Sequence, residues 1–403
     1  MLVLHLSTSE SGGAGLAASR LAAAQVSNGI NAVVLSNQGK SGQARNIPKN
    51  LWSICKSKIT TASNILLTKA NVPAHSIFSV SSIRRETIVS LKPEIIHIHN
   101  WYNLLSLSDI NFFLENFSVV FTMHDMRLLT GGCHYSLDCT NFQTNCMNCP
   151  QTRTSLNFNS AQKRELEAIF MANRGRYAVV APSNWLSGLA LENSIGSNAS
   201  EVLSIPNAIN KKDLRFSAEP LNKNESGTSN LLFVSHDLDS PIKGLDLLLS
   251  ALVELEEKYE LRFNLTTVGR GFERISINSK LVVTNIEKCD PVQMKQLMTS
   301  QDALVVPSRN DNSPNVILEA QSIGLVVIAS AVGGISELVL ENETGFIFDP
   351  NTDSLVQSLL NFHNAKNLEV IRKNAQEFSW DRNNESNIVA SHVALYERLL
   401  NEK

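Results

Sequence analysis

Short apolar runs recur along the chain, each followed by a polar turn and a stretch of helical spacing. Residues 2–6, 32–35, 95–99, 119–123 and 177–181 read as strands in the first half; residues 231–235, 263–268 and 303–306 read as strands in the second. Between them, residues 16–28, 161–174, 245–256, 315–323 and 384–400 carry helical periodicity, the first of them stopped by Gly29. Strands alternating with helices predict parallel sheets covered on both faces, an α/β fold with doubly wound domains. Residues 219–229 are polar, contain Pro, Asn and Gly, and show no periodicity, which suits a linker. The expected organisation is a first domain over 1–210, a linker over 211–229, a second domain over 230–383 and a closing helix over 384–403. Residues 40–73 have no clear element pattern.

At 403 residues the chain exceeds one ordinary core, in keeping with two domains. A net charge of −3 gives no electrostatic case for nucleic acid. The opening run Met1-Leu2-Val3-Leu4-His5-Leu6 reads as a strand and lacks a basic leader. No apolar run is long enough to span a bilayer. These features lead us to expect a cytoplasmic protein, with room for peripheral contact with the inner face of a membrane.

The richest stretch is Pro307-Ser308-Arg309-Asn310-Asp311-Asn312-Ser313-Pro314-Asn315-Val316-Ile317-Leu318-Glu319-Ala320. It reads as a strand end, a turn-forming loop and a helix. Asp311 in the loop and Glu319 on the helix can both point above the strand end. The helix start adds backbone N–H groups and a positive dipole end that suit a diphosphate. Lys243-Gly244 also lies between a strand and a helix, and a lysine there is unfavourable to the helix dipole unless an anion is present. Gly12-Gly13-Ala14-Gly15 sits between strand and helix as well. Alone this loop is a weak signal that would also fit a nicotinamide cofactor, but Ser36-Asn37-Gln38 supplies no ribose-binding acid. His124-Asp125 and His99-Asn100-Trp101 fall at strand ends, the edge where ligands of such sheets bind.

Together the 307–320 stretch, Gly324-Leu325-Val326-Val327-Ile328-Ala329-Ser330, Gly333-Gly334-Ile335-Ser336-Glu337 and Thr344-Gly345-Phe346 resemble the retaining family-4 glycosyltransferases of GT-B fold. The resemblance runs over nearly the whole chain and is strongest at 231–349. It implies two Rossmann-like domains facing an interdomain cleft, with the closing helix crossing back to the first. It implies a nucleotide-diphosphate sugar, UDP- or GDP-linked, as donor and a glycan or lipid-linked hydroxyl as acceptor, in bacterial surface-polysaccharide assembly, with no cofactor needed for catalysis. The resemblance assigns His124, Asp311 and Lys243 to catalysis. It assigns Gly12, Gly13, Lys243, Ser313, Asn315, Val316 and Glu319 to donor binding. Asp311 stands where the family usually has Glu. The arginine often found after the preceding strand is absent, its place taken by Ser235-His236-Asp237.

Cys133, Cys139, Cys146 and Cys149 crowd into 17 of the 403 residues. Their Cys-x-x-Cys pair suits chelation of a structural zinc, and free thiols and disulfides are the other readings. The resemblance leaves two alternatives to transfer: a nucleotide-sugar epimerase of the same fold, or a non-catalytic, zinc-stabilised glycan-binding protein.

Overall fold

A computed structural model describes residues 1–10, 12–37, 44–46, 51–69, 72, 75–209, 228–278 and 281–401, with the backbone alone at 44–46 and 51–54. Most of the expected linker, 211–227, lies outside these residues, as do Ser11 and parts of the 40–73 region. The chain divides into two compact units: unit 1 is Met1–Ala208 with Glu385–Lys403, and unit 2 is Ile209–Asn384.

Unit 1 is built on a parallel sheet of β1 (Leu2–Ser7), β2 (Asn31–Ser36), β3 (Ala44–Asn46), β4 (Ile95–Asn100), β5 (Ser118–Thr122), β6 (Tyr177–Ala181) and β7 (Glu201–Ser204), in the order β3-β2-β1-β4-β5-β6-β7. The direction of winding reverses between β1 and β4, the point at which sheets of this kind part adjacent loops and offer a crevice at the carboxyl edge. The helices are α1 (Gly12–Ser27), α2 (Leu51–Leu67), α3 (Arg85–Leu91), α4 (Leu107–Asn116), α5 (Phe158–Ala172), α6 (Asn184–Leu191) and α7 (Ser194–Ser197), joined by the C-terminal helix Glu385–Asn401. Strand side chains alternate between faces, so each strand feeds two cores. Leu4, Leu6, Ile96, Ile98, Phe121 and Val179 pack on one face. Val3, Ile95, Val120 and Val180 pack on the other, beneath Leu21 of α1 and Leu395 and Tyr396 of the C-terminal helix. His5 and His97, neighbours in register, lie on this second face.

Helix α1 starts at Gly12, earlier than the expected residue 16, so the glycine loop is the helix's own first turn. Gly12 has φ of +78°, and a Cβ on Gly15 would come within 2.2 Å of the Ser9 carbonyl oxygen. Glycine lets this helix begin directly against the end of β1. The polar 106–109 stretch, passed over in the sequence, starts α4 with a capping box between Ser106 and Asp109.

Unit 2 repeats the design with β8 (Ser229–Asp237), β9 (Phe263–Arg270), β10 (Val282–Ile286), β11 (Ala303–Val306), β12 (Val326–Ser330) and β13 (Phe346–Phe348), all parallel in the order β10-β9-β8-β11-β12-β13. Its helices are α8 (Leu245–Tyr259), α9 (Pro291–Thr299), α10 (Asn315–Ser322), α11 (Thr352–Asn364) and α12 (Leu368–Arg382). The reversal falls between β8 and β11. Among the described residues, no helix is long and apolar enough to cross a membrane.

Candidate active site

In unit 2 the fully buried strand β11 delivers the 307–314 loop at its carboxyl end. Pro314, with φ of −65°, precedes the first helical residue, Asn315. Proline is pre-set for this turn but has no N–H, so it offers no backbone donor there. Asp311 is 5 % exposed. Its Oδ2 accepts from Lys243 Nζ at 2.6 Å and its Oδ1 from the Asn312 backbone N–H at 2.9 Å. The Lys243 side chain stays one-third exposed, at 33 %. Ser313, Asn315, Val316 and Glu319 are partly buried on or beside α10.

Three devices hold Lys243 against Asp311. Gly244, at the start of α8, has φ of +71°, and a Cβ there would meet the Pro307 carbonyl oxygen at 1.9 Å. Arg309 reaches back to the Pro241 carbonyl at 2.6 Å and clamps both oxygens of Asp246 at 2.9 and 2.6 Å. That contact holds the Asp246 carboxyl below its usual range. Gly334 N–H donates to the Asp311 carbonyl at 3.1 Å, and Gly333, with φ of +54°, comes too close to that carbonyl to carry a side chain. Sequence reading assigned no role to Arg309, because a loop arginine shows nothing of a partner sixty-three residues away. His236 is exposed at the end of β8, and the neighbouring Asp237 is bridged by Arg274 at 2.7 Å. Arg270, exposed at the end of the adjacent β9, is a further cation at this edge.

In unit 1, Gly12 and Gly13 are exposed on the first turn of α1. A pocket opens beside them, lined by Ala14, His99, Asn100, Trp101, His124 and Arg127 among others. His124 is partly buried, and burial pushes its pKa down to about 4. Burial pushes the next residue, Asp125, upward, but His134 at 2.7 Å and the Arg127 backbone N–H together hold the carboxyl below its usual range. The Arg127 guanidinium lies 4.4 Å from the Trp101 ring centre, is 3 % exposed, and has no hydrogen-bond partner on any of its nitrogens.

Behind His124 runs a buried column of imidazoles. His124 Nε2 lies 3.1 Å from His99 Nδ1, and His99 Nε2 lies 2.9 Å from His5 Nδ1. His5 Nε2 is 2.8 Å from Gln25 Oε1, and Gln25 Nε2 donates to Tyr396 Oη at 3.0 Å. Tyr396 Oη is 2.7 Å from His97 Nδ1, and His97 Nε2 is 2.6 Å from Thr122 Oγ1. Burial lowers the pKa of His5 to about 4 and those of His97 and His99 well below the usual imidazole range. Sequence reading singled out His99 and His124. It missed His5, Gln25 and Tyr396, whose only trace was a polar residue inside an apolar element.

All six cysteines are free thiols. Cys133 and Cys146 are buried, and all four clustered cysteines line one small cavity with Phe142. Burial raises the Cys133 thiol to about 12 and the Cys146 thiol to about 11. Among the described residues, the one group of three possible metal ligands with donor atoms within 4.8 Å of one another is His5, His97 and His99. The cysteine sulfurs would have to draw together to share an ion.

Residues 228–364, which hold Lys243, Asp311 and Glu319, match the family described as Glycosyl transferases group 1. An Escherichia coli (strain K12) protein named as the colanic acid biosynthesis glycosyl transferase WcaC is 24 % identical over 376 residues, 89 % of each chain. The fold is shared with sucrose-phosphate synthase from Thermosynechococcus elongatus, at a TM-score of 0.69, 15 % identity and 100 % of both chains. It is shared too with Anabaena Alr3699/HepE, at a TM-score of 0.63, 15 % identity, and 98 % of this chain against 99 % of that one. Residues 228–364 are thus a group 1 glycosyl transferase domain around the Lys243–Asp311 pair, in a chain of GT-B fold.

Proposed function

We propose that the protein is a retaining glycosyltransferase that moves a sugar from a nucleotide-diphosphate sugar to a hydroxyl of a glycan or lipid-linked acceptor. The observation that carries this reading is the Lys243–Asp311 pair at the start of α10, with Glu319 on the same helix. Lys243 and the amides around Ser313, Asn315 and Val316 offset the charge that grows on the departing diphosphate. Asp311 and His124 orient the sugar, Glu319 holds the ribose, and Gly12 and Gly13 let the donor approach the backbone of α1. The bond from the anomeric carbon to the diphosphate oxygen breaks. The acceptor oxygen bonds to the same face, and its proton passes to the departing phosphate oxygen. No side chain is assigned as a covalent nucleophile, and no metal takes part.

A uridine donor is supported by the Anabaena HepE structure, which is titled a complex with UDP-glucose; a GDP-sugar is the other candidate. Assembly of a surface polysaccharide such as O-antigen, capsule or exopolysaccharide, on the inner face of the membrane, is supported by the colanic acid name of the Escherichia coli relative. Incubation with a panel of UDP- and GDP-sugars, with detection of nucleotide release and proton NMR of the first product, tests the reading. Release with retained anomeric configuration is expected. An inverted product removes the retaining mechanism, and a changed sugar without transfer indicates epimerisation.

The clustered cysteines hold a structural zinc in this reading. A buried guanidinium without hydrogen-bond partners is costly, and Arg127 lies within electrostatic reach of Cys133 and Cys146, whose thiolates on an ion would offset it. Metal analysis of protein purified without chelator should find one equivalent of zinc. Less than about a tenth of an equivalent with four reactive thiols leaves ordinary cysteines.

A further inference from the structure

Four imidazoles, one amide, one phenol and one hydroxyl form a single hydrogen-bonded chain in unit 1, from His124 at the pocket to Thr122, which lines the same pocket. Such a chain has a direction. Each buried ring is neutral and therefore carries one N–H and one lone pair. Both nitrogens of His5, His97 and His99 are engaged in the chain. Once one ring's proton is placed, its neighbours' protons follow, because any other arrangement sets two lone pairs or two N–H groups face to face.

The amide of Gln25 sets that direction. Its Oε1 can only accept, so His5 donates from Nε2 and accepts at Nδ1. His99 must then donate from Nε2 to His5 and accept at Nδ1. His124 must donate from Nε2 to His99. On the other side, Gln25 Nε2 donates to Tyr396, Tyr396 donates to His97 Nδ1, and His97 donates from Nε2 to Thr122. Turning the amide over would reverse every bond in the chain. Stacking keeps the rings aligned, with centres 4.3 Å apart for His97 and His99, 5.2 Å for His5 and His99 and 5.4 Å for His99 and His124.

We infer that Gln25 is a positioning residue that decides which nitrogen of His124 carries its proton, acting through His5 and His99. The inference rests on the sugar-side role proposed for His124. With Nε2 protonated, His124 keeps its lone pair on Nδ1 and meets a sugar hydroxyl as a neutral acceptor. The chain also accounts for the three-histidine cluster without an ion, since the nitrogens that would bind one are spent on their neighbours.

The test is long-range proton–nitrogen NMR of the full chain labelled with ¹⁵N-histidine, at neutral pH and without ligand. His5, His99 and His124 should all show protonated Nε2 and bare Nδ1. A different tautomer at any of the three overturns the inference, and this arm needs no variant to fold. In Gln25→Met, His124 should become a mixture of tautomers, although two rings separate it from the change. Gln25→Glu, which still accepts from His5, should keep the wild-type tautomer. An unchanged His124 in Gln25→Met sinks the relay, as does one equivalent of metal with no N–H on the Nε2 of His99. Nucleotide release should fall about tenfold in Gln25→Met, the size of one hydrogen bond, and recover in Gln25→Glu. Equal losses in both variants would mean a packing role only, against the inference. Correct tautomers in a protein that turns over no nucleotide sugar would remove the proposed function and leave the relay standing.

Discussion

The two units share a topology and solve their carboxyl edges in opposite ways. Unit 2 builds an ionic edge: Lys243, Asp311, Arg309 and Asp246 form ion pairs across two loops, and Lys243 and Asp246 remain partly exposed. Unit 1 sets a neutral column behind its pocket, beside the Asp125–His134 pair and the Arg127 guanidinium: burial strips His5, His97, His99 and His124 of charge and hydrogen bonds supply the order. The contrast follows the chemistry each edge is proposed to meet. A diphosphate needs fixed positive charge and amide donors. A sugar hydroxyl needs directed donors and acceptors. The fold supplies the edges, and residue type decides what each recognises.

The largest separation of the two units is expected in acid. The His392 pKa falls from 6.5 in the unfolded chain to about 4 in the fold, through burial. A folded pKa below the unfolded one means that stability is complete above pH 6.5 and is lost as pH falls toward 4. One such ring costs roughly 3 kcal/mol when fully protonated, and the other buried imidazoles of unit 1 are shifted in the same direction. Hydrogen exchange followed by mass spectrometry, corrected for the intrinsic pH dependence, should show unit 1 opening in this window while unit 2 stays protected. Simultaneous opening of both units would erase the contrast.

Next in size is Gly244→Ala, which places a methyl group against the Pro307 carbonyl at a backbone angle that favours glycine. Strain and overlap should destabilise the protein by roughly 2–4 kcal/mol. Thermal melts should show the loss, and a shift below about 1 kcal/mol would mean that the two loops are not held as tightly as the geometry implies.

The smallest effect sharpens the comparison most. Lys243→Ala removes a charge-assisted contact worth about 1.5–3 kcal/mol, so nucleotide affinity should drop about 10- to 100-fold by calorimetry. His124→Ala should leave nucleotide affinity nearly unchanged and slow sugar transfer instead. Equal effects on affinity would break the assignment of the diphosphate to unit 2 and the sugar to unit 1.

Much of the architecture was legible in the chain. Buried parallel strands are continuous apolar runs, and the runs at 177–181 and 303–306 coincide with β6 and β11. Among the helices missed, α2 lies in the 40–73 stretch that has no clear pattern, and α4, although Leu107, Ile110, Phe113 and Leu114 recur at helical spacing, has only ten residues and is completed by tertiary packing. The start of α1 was misplaced because glycine reads as a loop residue until a neighbouring carbonyl shows why a side chain is excluded.

The sequence by itself determined the alternation of strands and helices, the two-unit plan, and the short stretches where chemistry concentrates. These are local properties, set by periodicity and turn preference over a few residues. Tertiary structure alone decided who meets whom. It brought Arg309 to Asp246, Lys243 to Asp311, and Gln25 to His5 and Tyr396. Such contacts join residues as far as 371 positions apart. A hydrogen bond depends on distance and direction in space, and neither is written in the neighbourhood of either partner.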